Sequence, residues 1–141
     1  MESYIFDTEI YPNYFLITFL NIETQEFRHF EFFEDNKNKG GRQDTTALVA
    51  FLGKIKVLAG YNSRQYDNDM ILAFLKSPIV AGTKRFSDEL IGGKRQHNPF
   101  TKSLSTRLGL AGLLKLEFLD FDLFSILGSR VSLKILECHL N

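Results

Sequence analysis

The 141-residue sequence has a single cysteine, Cys138, and only three prolines. One cysteine excludes an internal disulfide framework and a zinc site built from several cysteines, and it is consistent with a reducing compartment. So few prolines, together with 44% hydrophobic residues, exclude a disordered or low-complexity chain. Because domains average roughly 150 residues, the length predicts one domain with a proper core.

Long apolar runs are also missing. None reaches the roughly 18 residues that a membrane-spanning helix needs. The start of the chain, Met1-Glu2-Ser3, lacks the basic and apolar regions of a signal peptide. We therefore expect a soluble intracellular protein without a membrane partner.

Positive and negative charges balance, but they are unevenly distributed. Residues 1–35 carry eight acids and one base, residues 36–115 carry fourteen bases and five acids, and residues 116–141 carry four acids and two bases. Such a distribution suits a metal-dependent nuclease, in which carboxylates hold cations and Lys or Arg side chains hold phosphates. Ordinary surface charge that happens to cluster explains it as well, so charge alone decides nothing.

The first third of the chain predicts three strands, at residues 3–9, 14–20 and 25–33. Their short connections favour an antiparallel meander. The second strand is almost continuously apolar, which predicts burial on both of its faces.

Helices and strands alternate in the rest of the chain. We expect a helix from Asp44 or Thr45, a strand at 57–60, a helix at 66–76, a strand at 116–123 and a helix at 133–140. Glycines and a proline interrupt the pattern over residues 82–107, which we expect to be irregular apart from one helical turn near Ser87. This order predicts a single α/β domain with a mixed sheet over residues 1–141.

Two acids in the first strand are the first candidates for chemistry. Asp7 and Glu9 are two residues apart, so a strand places both side chains on one face, about 7 Å apart. Two carboxylates on one apolar strand cannot neutralise each other, whereas divalent cations would make the arrangement tolerable. Oxygen ligands favour Mg²⁺ or Mn²⁺. A strand end at which both acids are simply solvated is the alternative.

A third acid, Asp67, falls in the first turn of the helix at 66–76. The helix dipole favours a carboxylate there, so Asp67 is either a functional group or an ordinary helix-start acid. Asp69, two residues further on, is expected at the surface.

Two motifs carry a resemblance to a known family. Residues 6–9 (Phe-Asp-Thr-Glu) and 11–15 (Tyr-Pro-Asn-Tyr-Phe) resemble the first motif of the DEDD-type (RNase H-like) 3′–5′ exonucleases. Residues 60–67 (Gly-Tyr-Asn-Ser-Arg-Gln-Tyr-Asp) resemble the second, Asn-x₃-(Phe/Tyr)-Asp. The likeness is closest to the exonuclease region of phage-type family B DNA polymerases and related phage exonucleases, and residues 120–125 and 132–134 are similar to the strand and helix that follow there.

The resemblance implies an RNase H-like mixed sheet with flanking helices, either complete or lacking its last helix. It implies a two-metal enzyme with two Mg²⁺ or Mn²⁺ ions, held by Asp7, Glu9 and Asp67, that removes nucleotides from the 3′ end of single-stranded DNA. The residues that it places beside the nucleic acid are Thr8, Tyr11, Asn13, Tyr14, Asn62 and Tyr66. It also implies the cytoplasm of a bacterium or of a phage-infected cell.

The family's third motif is missing. It is a Tyr-x₃-Asp or His-x₄-Asp in a late helix, and no Asp follows His139. We expect that the chain is part of a larger protein such as a polymerase, that it is an inactive nucleic-acid-binding or protein-interaction module, or that a partner chain supplies the fourth carboxylate. Enzymatic activity is expected only where that carboxylate is supplied. Asp120 and Asp122 are the only late acids nearby, either facing the metals or lying on a solvated strand edge.

Six basic residues lie in the segment expected to be irregular. They suit contacts with phosphates, and a solvated loop explains them equally well. They are Lys84, Arg85, Lys94, Arg95, Lys102 and Arg107.

Overall fold

A mixed sheet with four helices forms the described part of the protein. The computed structural model describes residues 2–35, 37, 39–61, 63, 66–93, 103–113 and 118–123. The strands are β1 (Ser3–Tyr11), β2 (Tyr14–Asn21), β3 (Phe27–Phe33), β4 (Val57–Gly60) and β5 (Leu119–Asp122). The helices are α1 (Thr46–Leu52), α2 (Asp67–Lys76), α3 (Val80–Ile91) and α4 (Leu104–Leu110). The α/β class and the order of strands and helices through α2 agree with the sequence-based prediction.

The sheet has the strand order β3-β2-β1-β4-β5. Its first three strands form the predicted antiparallel meander, with a tight turn at Pro12-Asn13 that pairs Tyr11 with Tyr14. β4 and β5 run parallel to β1 on its other side. β1 is therefore the central strand, at the boundary between the antiparallel and parallel halves.

The hydrophobic core lies on one face of the sheet. In β2, Phe15, Ile17 and Phe19 are fully buried, whereas Leu16 and Thr18 between them are only partly buried. The prediction that this strand is buried on both faces is therefore wrong. The physical reason is the alternation of a strand, which turns every second side chain away from the layer of helices.

Aromatic rings join the helices to that face. The Phe51 ring of α1 lies 4.7 Å from the Phe19 ring, and the Phe74 ring of α2 lies 4.9 Å from the Phe15 ring. Burying one such side chain stabilises the fold by about 1.5–3 kcal/mol. These contacts fix α2, whose first turn carries Asp67, against the sheet.

The segment that we expected to be irregular contains two helices. The buried positions of α3 are Val80, Thr83, Ser87 and Leu90, which is helical spacing. Two of the four are polar, so the hydrophobic pattern is weak in the sequence. Both hydroxyls are hydrogen-bonded, since Thr83 Oγ1 donates to the carbonyl of Ile79 within the helix and Ser87 Oγ bonds the Tyr66 hydroxyl.

The second unexpected helix, α4, begins with a side-chain cap. Ser103 Oγ accepts a hydrogen bond from the Thr106 backbone N–H at 3.2 Å. Pro99 and the bases Lys94, Arg95 and Lys102 lie outside the described residues, as does the helix predicted at 133–140. No helix in the described ranges is long and apolar enough to cross a membrane.

Candidate active site

The carboxyl ends of three adjacent parallel strands meet at one edge of the sheet. Ile5 of β1 lies beside Ala59 of β4, which lies beside Phe121 of β5. Asp122 follows Phe121 directly, and Asp7 stands two residues after Ile5. In open sheets with parallel strands, this edge is the usual place for ligands.

Asp67 reaches the same edge from the first position of α2. Its side chain is buried, with 6% exposure, and its carboxylate accepts hydrogen bonds from the hydroxyl and the backbone N–H of Thr8. Thr8 is itself buried in β1. Two hydrogen bonds from Thr8 thus connect the first motif to Asp67 of the second motif.

The pKa of Asp67 shows which charges surround it. That pKa is raised from its ordinary value of 3.8 to about 7, mainly by burial. The charges of Asp7 and Asp122 add to the rise, and the Thr8 hydrogen bonds oppose it. Asp7 and Asp122, which belong to two other elements, therefore lie within electrostatic reach of Asp67. Perturbed carboxyl groups of this kind are concentrated at functional sites.

A close approach at Gly60 brings the loop before α2 onto the sheet. A Cβ atom on Gly60 would lie 2.6 Å from Ser63 Cβ and 2.7 Å from Phe6 Cε1, distances that real Cβ atoms do not show. Both neighbours are buried. Only glycine lets the chain turn this tightly between β4 and Asp67.

Asp122 is the residue that sequence reasoning underestimated. We left it open whether the late acids face the metals or lie on a solvated edge, and Asp122 is buried, with 4% exposure. Asp120 has another role, because its Oδ2 accepts the backbone N–H of Leu104 at 2.9 Å, at the start of α4. The alternation of β5 puts both acids on one face, but the register that aligns Asp122 with Gly60 cannot be read from the sequence.

Glu9 lies beside two tyrosines, Tyr11 and Tyr14. The Tyr11 hydroxyl is 3.5 Å from Glu9 Oε2, and the Tyr14 hydroxyl donates to Glu31 Oε1 at 3.1 Å. Burial raises the pKa of Tyr14, and the hydrogen bond to Glu31 and the charges of Glu31 and Glu9 add to the shift. Asp7 and Glu9 do share one face of β1, as predicted. A metal-ligand role for Glu9 stays a prediction.

Comparison with protein families, curated proteins and solved structures finds no match for this chain.

The remaining predicted contact residues are distributed around the site. The Tyr66 hydroxyl bonds Ser87 Oγ of α3 at 2.6 Å. Asn13 is exposed in the β1–β2 turn, where its carbonyl accepts the backbone N–H of Glu34. Asn62 lies outside the described residues. Their roles beside nucleic acid remain predictions.

Two of the six bases are paired with acids. Arg107 Nη1 lies 2.6 Å from Asp69 Oδ1 and joins α4 to α2, so Asp69 is not the plain surface acid that we expected. Lys84 and Asp88 form an ion pair one turn apart on α3. Arg85 is exposed, and the other three bases fall outside the described residues.

The donor set can be tested against the expected ions. Within the ranges that the structure describes, no three His, Cys, Asp or Glu side chains lie close enough together to hold one metal ion. The charges of Asp7 and Asp122 nevertheless repel the Asp67 carboxylate and add to the rise in its pKa that burial causes. Carboxylate oxygens are hard ligands that suit Mg²⁺ or Mn²⁺, and a divalent cation would offset this repulsion. In chemical type and in charge, these residues fit the ions.

Proposed function

We propose that this chain is the core of an RNase H-like, DEDD-type 3′–5′ exonuclease that acts on DNA 3′ ends. The observation that supports the proposal most is the placement of Asp7, Asp67 and Asp122 at the carboxyl edge of β1, β4 and β5, with Asp7 and Asp122 near enough to influence the pKa of Asp67. The two sequence motifs supply the first two of these acids. An excess of negative charge at one edge needs cations, and two-metal phosphodiester hydrolysis uses them.

In this proposal Asp122 takes the place of the fourth carboxylate that the family draws from its third motif. Asp7, Glu9, Asp67 and Asp122 would then hold two Mg²⁺ or Mn²⁺ ions. When bound, these ions supply an activated water and stabilise the charge on the leaving oxygen.

The residues of the chain have separate tasks around that chemistry. Thr8 donates two hydrogen bonds to Asp67 and so fixes the orientation of its carboxylate. Burial of Asp67 and Asp122 keeps water from competing for their oxygens. Because the pKa of Asp67 is about 7, its carboxyl group would release a proton on holding a cation near neutral pH.

The test is digestion of single-stranded DNA labelled at its 5′ end, with Mg²⁺ or Mn²⁺. We expect a ladder that shortens from the 3′ end, abolished by Asp7→Ala, while binding of the same DNA in EDTA stays largely intact. Asp88→Ala is the matched control, since Asp88 is an exposed acid on α3, and it should digest at the wild-type rate. Equal rates for wild type and Asp7→Ala would defeat the enzyme assignment.

A second candidate function is a catalytically inactive module that binds nucleic acid or a protein. One observation favours it, namely that no three potential ligands converge closely enough for one ion among the described residues. The same assay separates the two functions. DNA binding by the wild type without any metal-dependent digestion would support the inactive module.

A further inference from the structure

β3 is an edge strand of the sheet, and among the described residues no other strand pairs with its outer side. Two backbone hydrogen bonds show which way its groups point. The Asn21 N–H donates to the Glu26 carbonyl at 2.9 Å. At the other end of the strand, the Glu34 N–H donates to the Asn13 carbonyl at 2.9 Å. Because the bonding direction alternates along an antiparallel strand, the even-numbered residues of β3 bond to β2, and the odd-numbered ones point their N–H and C=O groups outward.

This edge has few of the features that keep natural edge strands from pairing, which are proline, lysine, bulges and short length. β3 has seven residues, contains no proline or lysine, and pairs with β2 in an unbroken register. The guanidinium of Arg28 lies over the rings of Phe30 and Phe51, at 4.9 Å and 5.7 Å, so its charge is directed over α1. At one end, Gln43 Nε2 donates to the Phe33 carbonyl at 2.6 Å. The middle of the strand is therefore the part that suits a further strand.

The outward side of β3 is complementary to itself in one antiparallel register. That register puts His29 opposite Glu31 of a second copy, and Glu31 opposite His29, while Phe27 and Phe33 face each other at both ends. All four side chains are exposed on the face of the sheet away from the helices. Sliding the copies by two residues would put His29 opposite His29 or Glu31 opposite Glu31, which loses the unlike pairs.

Neighbouring side chains on β2 orient the two central residues. Thr18 Oγ1 bonds His29 Nδ1 at 3.1 Å, and the Tyr14 hydroxyl donates to Glu31 Oε1 at 3.1 Å. A contact across the edge would then use the other ring nitrogen, Nε2, and the other carboxylate oxygen, Oε2. An imidazole N–H and a carboxylate oxygen are a matched donor and acceptor.

We propose that two copies of this chain associate through their β3 edges, with His29 of each opposite Glu31 of the other, and form one continuous sheet. Each of these two pairs exchanges two backbone hydrogen bonds. The interface is the same patch on both copies, so it closes at a dimer. The candidate site lies at β1, β4 and β5, on the other side of β1 from β3, and the dimer leaves it uncovered.

Sedimentation equilibrium of the full chain tests the dimer, over concentrations from roughly 1 μM to 1 mM. The mass of the wild type should rise with concentration toward twice that of one chain. His29→Glu puts two carboxylates opposite each other, and Glu31→Lys puts a base opposite His29. Each variant alone should weaken the dimer about tenfold or more. Asp88→Lys, a charge reversal at an exposed position on α3, is the control and should associate like the wild type.

Mixing the two variants gives the sharpest test of the register. In a dimer of one His29→Glu chain and one Glu31→Lys chain, every unlike pair is restored. An equal mixture should therefore dimerise at concentrations at which each variant alone stays monomeric. Misfolding of either variant cannot produce this result.

Hydrogen exchange measured by NMR locates the interface within the wild type. The amide N–H groups of His29 and Glu31 should become protected as the protein concentration rises. The Phe30 N–H, which points toward Ile17 of β2, should be protected at every concentration.

Three results would each overturn the inference. One is a wild type that stays monomeric up to about 1 mM, whether another segment of the chain or a different protein covers the edge. The others are single variants that dimerise like the wild type, and a mixture that associates no better than its components. No DNA or metal ion takes part in these experiments, so a lack of nuclease activity leaves the inference standing.

Discussion

A single buried carboxyl group, that of Asp67, links this protein's stability to pH. In the folded chain the pKa of Asp67 is about 7, raised by burial and by its two acidic neighbours, and its ordinary value is 3.8. The folded state therefore binds a proton more tightly than the unfolded state. The stabilisation from that proton is fully present below pH 3.8 and is lost as pH rises through about 7.

We expect the free energy of unfolding in EDTA to fall between pH 4 and pH 7 more steeply in the wild type than in Asp67→Asn. The difference is at most on the order of 4 kcal/mol, from about three pKa units at 1.36 kcal/mol each. Urea denaturation at several pH values measures it. The same pH dependence in both proteins would contradict the buried, repelled state of Asp67.

Asp122 gives a second prediction at this scale. Asp122→Asn removes one of the charges that raise the pKa of Asp67, so the fall in stability should end at a lower pH than in the wild type. If Asp122 holds a metal ion, the same variant should digest DNA about 100-fold more slowly or worse. Asp88→Asn on α3 is the control for both measurements. If Asp122→Asn shows the same pH dependence of stability as the wild type, the charge of Asp122 does not influence the pKa of Asp67.

At the scale of elements, the joint between β4 and α2 sets the position of the second motif. Gly60→Ala places a Cβ against buried Ser63 and Phe6, and overpacking of this kind costs about 1–3 kcal/mol. Gly82 in α3 is the matched control, because a Cβ there meets nothing within 4 Å. Gly82→Ala should stabilise the protein by about 0.5–1 kcal/mol, through the better helix propensity of alanine. Urea unfolding of both variants measures these two changes in stability. If Gly82→Ala destabilises the protein as much as Gly60→Ala does, the close approach at Gly60 is contradicted.

The sequence was sufficient to predict the elements that have a strong local pattern. β1, β2 and β3 follow from short runs rich in aromatic, β-branched and other apolar residues between turn signals, and α2 follows from the helical spacing of its large apolar side chains. α3 was missed because Thr83 and Ser87 take two of its four buried positions, and their hydroxyls are satisfied by tertiary contacts and by the helix itself. Polar residues in a buried helix face leave no hydrophobic period to detect.

The candidate site was predictable in part for a similar reason. Asp7 and Asp67 lie in recognisable motifs, and the structure puts their charges close together. Asp122 could be placed there only from the register of β5 on β4, which is a long-range pairing that no local pattern encodes. Asp120, on the same face of β5, accepts a hydrogen bond from the N-terminus of α4, and no local pattern encodes that contact either.

For the whole molecule, the proposed ions link function to stability. A cation that binds only the folded state raises the free energy of unfolding, by about 2.7 kcal/mol at a concentration of 100 times its Kd. We expect Mg²⁺ or Mn²⁺ to raise the melting temperature of the wild type, and Asp7→Asn to lose most of that increase. Thermal melts with and without EDTA measure it. If the cation raises the melting temperature of both proteins equally, it binds at a site that does not include Asp7.

The central position of β1 also bears on how the protein acquires its site during folding. Its antiparallel partners, β2 and β3, are its immediate neighbours along the chain, whereas its parallel partner β4 and then β5 come from far downstream. Local pairings close small loops and form first, and distant ones form later. The meander should therefore gain protection from hydrogen exchange before the acids come together. A ribosome-bound chain would carry a folded hairpin long before it carried a competent site.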